Sequence, residues 1–105
     1  MPAYINLIKE LKAKAPSVEN REDMDAVRGT IWAIKRGAEA VIVYDKFSGL
    51  VRIYDVPLVH IIAEGDRLDA VDCSVYETLR EMDVVLYIAN SETTVIGLKS
   101  KAYES

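Results

Sequence analysis

Five consecutive apolar residues, Ala40-Val41-Ile42-Val43-Tyr44, constrain this chain more than any other segment. A strand with one solvated face alternates apolar and polar side chains, whereas a run without alternation has to be covered on both faces. Residues 40–44 are therefore expected as a strand covered on both faces and central in its sheet. The turn Asp45-Lys46-Phe47-Ser48-Gly49 follows, and Gly49 can supply the positive φ of a bulged hairpin. The returning run, residues 50–56, carries Arg52 and Asp55 and so belongs nearer an edge.

Helical spacing accounts for most of the rest. A first helix opens at about Pro2 and must stop before Pro16, with Tyr4, Leu7, Ile8 and Leu11 on one face. The spacing predicts a second helix from about Asn20, with Glu22 and Asp23 in its first turn, Lys35-Arg36-Gly37 at its end, and Met24, Val27, Ile31 and Ile34 as its buried stripe. "PLVHIIAEGDR" reads as either a short strand over residues 59–63 or an extended connection, ended by Gly65, the strand being the favoured reading. A third helix is expected over residues 68–82, with Val71, Val75, Leu79 and Met82 stacked and Asp66, Asp69 or Asp72 as its cap. "DVVLYIAN" and "TVIGLKS" form a second hairpin around "SETT", before a polar tail that ends at Ser105. The expected architecture is a single α/β (α+β) domain across residues 1–105. Its order is α-α-β-β-(β)-α-β-β, with helices packed on a mixed sheet of four or five strands.

An offset of 44 residues aligns residues 24–54 with 68–98, matching helix to helix and hairpin to hairpin. Asp25 meets Asp69, Val27 meets Val71, Arg36 meets Arg80, and Val51 meets Val95. Two such helix-hairpin units gain by joining their strands into one sheet, and any edge left open invites a second copy of the chain. A homo-oligomer, formed through a strand edge or a helix face, is expected.

Composition narrows function mainly by exclusion. With 105 residues, half of them hydrophobic, the chain can bury a core; its net charge of −4 and lack of any basic run disfavour a nucleic-acid partner. Lys9, Lys12 and Lys14 make a small strip on the first helix, read as a solvated face. The N-terminus lacks the apolar core of a secretory signal, and no run approaches the ~18 apolar residues of a membrane span. One cysteine, Cys73, and one histidine, His60, make neither a disulfide nor a zinc cluster, so a cytoplasmic protein without metal or cofactor is expected. The absence of glutamine and the presence of only three asparagines match the amide usage of a thermophile.

No Gly-rich phosphate loop, nucleophile elbow or histidine cluster is present, so the expected function is non-catalytic: a self-associating module that binds a small ligand or a protein partner. The candidate binding residues lie on the two hairpin turns, Asp45 and Ser48 on one and Ser91, Glu92 and Thr93 on the other. His60 joins them because its imidazole titrates near neutral pH. Cys73 reads as an inert thiol, and Trp32 and Tyr76 as core or interface aromatics.

Residues 82–98, "MDVVLYIANSETTVIGL", run as an apolar strand, the turn Asn90-Ser91-Glu92-Thr93-Thr94 and a returning strand. This stretch resembles the strand, Ser-Glu-Glu-Thr-Gly turn and returning strand of the diadenylate cyclase (DNA-integrity scanning) domain, and the likeness extends over residues 38–99. That family carries Asp-Gly-Ala in its first hairpin and Arg-His-Arg at the connecting helix. Here those positions read Ala38-Glu39-Ala40 and Val71-Asp72-Cys73, so neither the metal-holding aspartate nor the phosphate-contacting cations are retained. The resemblance implies a shared fold and a nucleotide-binding domain with lost or altered catalysis. A nucleic-acid-associated protein is the remaining alternative.

Overall fold

The apolar run becomes β2 (Ala40–Asp45), whose first four residues are all buried. It lies between β3 (Val51–Asp55) and β6 (Thr93–Lys99). The computed structural model describes residues 3–56, 60–65 and 73–101. Beyond β3 stands β4 (His60–Gly65), and beyond β6 stand β5 (Asp83–Ala89) and the two-residue β1 (Glu19–Asn20), giving the order β1-β5-β6-β2-β3-β4. All pairs are antiparallel except β1 with β5, so the sheet is mixed, as expected, with β1 as one strand more than the sequence signalled. The two hairpins share one sheet through the β2–β6 pairing.

Three layers result. On one face α1 (Ala3–Lys14) and α3 (Cys73–Arg80) cover the sheet, where Leu7, Leu11 and Leu79 pack with Ile42, Ile53 and Ile96. On the other lies α2 (Ala26–Lys35) over Val41, Val43, Leu86 and Val95. Lys14 ties α1 to the end of α3, donating to the carbonyls of Arg80 and Met82 at 2.7 Å each. Among the described residues no helix is long and apolar enough to cross a membrane.

The second helix corrects the expectation twice. It starts at Ala26, not Asn20: Asn20 is in β1, and Asp25 is the N-cap, accepting a 2.8 Å hydrogen bond from the Arg28 N–H. Its end follows the sequence. Gly37 takes φ 92°, and the N–H groups of Gly37 and Ala38 bond the carbonyls of Ile34 and Ala33, a Schellman closure. The stripe Val27, Ile31 and Ile34 is exposed by 68%, 45% and 43%, and only Met24, which precedes the helix, is buried. The sheet instead receives the small face Ala26, Gly29 and Ala33, because Gly97 of β6 lets the helix settle close: a Cβ at Gly97 would lie 2.9 Å from the Ala33 Cβ.

The elements of the aligned halves occupy corresponding spans, but Val51 packs in the α1/α3 layer and Val95 in the α2 layer, on opposite faces. The strand expected at residues 59–63 is β4, displaced by a residue or two. The third helix is described from Cys73, so Val71 and the aspartates at 66, 69 and 72 lie outside the described residues.

Candidate functional site

The two hairpin turns meet at one end of the sheet because β2 pairs with β6 from Ala40 through Asp45. The Lys46 N–H donates to the Glu92 carbonyl at 2.9 Å, and the Lys46 ammonium to the Asn90 carbonyl at 2.5 Å. Asp45, Ser48, Ser91, Glu92 and Thr93 are thus brought to one place. His60 is not: it opens β4 opposite Asp55, at the other end.

Most of the polar groups at this end already serve the turns. The Asp45 carboxylate accepts from the N–H of Phe47 at 2.9 Å and of Ser48 at 3.5 Å, and the Ser48 hydroxyl oxygen accepts from Leu50 N–H at 3.2 Å. These bonds, the one from Phe47 first, hold the Asp45 carboxyl below the usual carboxylate range. Ser91 lies 3.5 Å from the Glu22 carboxylate. Asn90, which sequence reading treated only as a turn residue, is the buried member: its amide NH2 donates to the Met24 and Arg21 carbonyls at 2.7 and 3.2 Å, and its oxygen accepts from Glu92 and Thr93 N–H at 2.9 and 2.8 Å. Four bonds exhaust one carboxamide's capacity. The turn end is therefore a welded junction, with Phe47 projecting from it, 83% exposed.

The accessible apolar feature lies on the α2 face. Val27, Ile31 and Ile34 form one wall of a groove of about 260 Å³ whose floor is Val43 and whose far wall is Tyr54 and Val56. It exists because α2 rests on small residues: a helix seated on Gly29 and Ala33 points its bulky stripe sideways, over β3, rather than down. Helical periodicity marks the stripe but by itself turns it inward; the spacing Ala26, Gly29, Ala33 is the signal that turns it out. On the opposite flank of α2, the Arg21 guanidinium lies 4.4 Å over the Trp32 ring and pairs with Asp23 at 3.0 Å, which raises the Arg21 pKa and lowers that of Asp23.

Among the described residues no group of three histidine, cysteine or acidic side chains could hold a metal ion. The positions aligned with the cyclase motifs fall just before and at the start of β2, residues 38–40, and at Cys73, the first residue of α3. Compared with protein-family models, curated protein sequences and solved structures, the chain matches none.

Proposed function

We propose that the chain is a non-catalytic assembly module that pairs with a second copy of itself through the outward face of α2. The observation that carries this reading is the exposed apolar stripe Val27, Ile31 and Ile34 beside Tyr54 and Val56. Contiguous apolar surface of this kind gains from being covered, at roughly 25 cal/mol per Å². An isologous antiparallel pairing suits the residue numbers: a two-fold axis near residues 30 and 31 sets Val27 against Ile34 of the partner and Ile31 against its own copy. The same operator brings Asp25, the N-cap, toward the partner's basic helix end at Lys35 and Arg36, and opposes the two helix dipoles.

The β5 edge is the weaker route. The outer edge of β5 is partly covered by β1 at Ile88 and Ala89 and bulged between Val84 and Leu86, both of which discourage pairing. In a cytoplasmic setting Cys73 stays reduced, so assembly rests on packing rather than on a disulfide.

Sedimentation equilibrium over a micromolar to millimolar range tests the reading. The expected result is a dimer for the wild type and a monomer with an intact fold for Ile31→Lys. A wild type that stays monomeric throughout rejects it.

A further inference from the structure

A second cleft lies in the other layer, between α1 and the strands β5, β6 and β2, with a volume of about 420 Å³. Lys9 and Lys12, one turn apart on α1, reach it from above; Lys46 reaches it from the β2–β3 turn. Tyr44 and Tyr87 line it, and both pack in the α1-side core. In a chain of formal charge −4, the described residues that line this cleft include three lysines and no acidic side chain. None of the ion pairs among the described residues uses any of the three.

These features exceed a solvated helix flank. A lysine strip in water needs no cation from elsewhere in the chain, yet Lys46 comes from a separate segment and is pinned by its 2.5 Å bond to the Asn90 carbonyl. That bond occupies one of three ammonium donors and leaves two for a ligand. Gathering like charges beside an apolar floor is unfavourable until an anion joins them. Lysine binds as a compact point charge, which suits tetrahedral phosphate, and the lining holds no arginine fork for a planar carboxylate. The half-buried Tyr44 offers ring surface beside which a ring system would lie, and the buried Tyr87 backs the cleft.

We infer that the cleft bounded by Lys9, Lys12, Lys46, Tyr44 and Tyr87 is a binding site for a small organic phosphate with a flat apolar body. It lies on the opposite side of the sheet from the α2 face and does not depend on self-association.

The test is a two-dimensional amide NMR titration of the full chain with 1-naphthyl phosphate, with inorganic phosphate and 1-naphthol as separate arms. Saturable shifts are expected at Val18, Asn20, Ala89 and Thr94, at lower concentrations with 1-naphthyl phosphate than with either fragment. Lys9→Glu with Lys12→Glu, at two exposed positions, should weaken binding by about tenfold; since Lys12 sits in the last turn of α1 the reversal costs some stability, while the dispersed amide spectrum of the folded chain is retained. Absence of saturable shifts, equal binding by 1-naphthol or by inorganic phosphate, shifts centred on α2, or indifference to the charge reversal would each overturn the inference.

Discussion

Gly29 of α2 lies so close over Val95 of β6 that a Cβ on the glycine would stand 2.6 Å from the valine Cγ2, and 2.8 Å from the Met24 sulfur. That approach sets the height of the helix and sends the larger stripe outward. Alanine at position 29 improves helix propensity by about 1 kcal/mol but must displace a β-branched side chain fixed in the sheet. We expect Gly29→Ala to destabilise by about 1–2 kcal/mol net, and Gly97→Ala, facing the Ala33 and Ala38 Cβ atoms, by about 1–3 kcal/mol. Urea denaturation measures both. The cost of Gly29→Ala should shrink in a Val95→Ala background, since the two positions share one space.

Asn90 joins three segments, so its loss should be felt well beyond the turn. Asn90→Ala removes four hydrogen bonds and should cost about 2–4 kcal/mol. Asn90→Asp keeps the acceptor for Glu92 and Thr93 but sets a second oxygen against the Met24 and Arg21 carbonyls. It should also destabilise, more at neutral pH than in acid, where the carboxyl can donate. Thermal melts at the two pH values separate the cases.

Three carboxylates make the fold sensitive to acid. Asp45, Glu39 and Asp23 are all held below their ordinary values, by hydrogen bonds from Phe47, from Ser100 and from Arg21 respectively. A carboxylate with a lowered folded-state pKa stabilises the fold above its unfolded value and loses that contribution as pH falls through the folded value. Stability should be level near neutrality and decline below about pH 4. Glu39 is the most informative of the three, because its carboxylate accepts from Ser100 N–H at 3.1 Å while its backbone N–H and carbonyl bond Leu98 and Val56. Glu39→Gln should flatten the acid limb of a pH-dependent melting curve without changing the neutral end by as much.

The sheet was legible because its signals are local and strong. An unbroken apolar run such as residues 40–44 has one physical solution, and Gly37 at a helix end or Gly49 in a hairpin answers a backbone need that few other residues meet. The facing of α2 was not legible from hydrophobicity alone. Periodicity reports that Val27, Ile31 and Ile34 share a side, but which side meets the sheet depends on Gly97, some 60 residues away, leaving room for Ala33. The start of that helix lies later for a related reason: Glu22 and Asp23 suit a first turn, yet Asn20 pairs with Ala89 and the Arg21 N–H bonds the Ala89 carbonyl, so the chain leaves the sheet through a tight turn, closed by the Met24 N–H on the Arg21 carbonyl, before Asp25 caps. The turns that carry Asp45, Ser48, Ser91, Glu92 and Thr93 meet because β2 pairs with β6, whereas His60 opens β4 at the other end. What spacing could not reveal is that Asp45 and Ser48 spend their oxygens on their own turn, or that Lys9 and Lys12 share a cleft with Lys46.

The outward face of α2 is tested most directly by methyl NOE measurements on a sample mixing isotope-labelled and unlabelled chains. The account predicts contacts from the Ile31 methyl groups to Ile31 and from Val27 to Ile34 between differently labelled chains, and none from Ile31 to Val95 within one chain. Ile31 methyl groups found against Val95 or Val41 of their own chain, with no intermolecular signal, would contradict it.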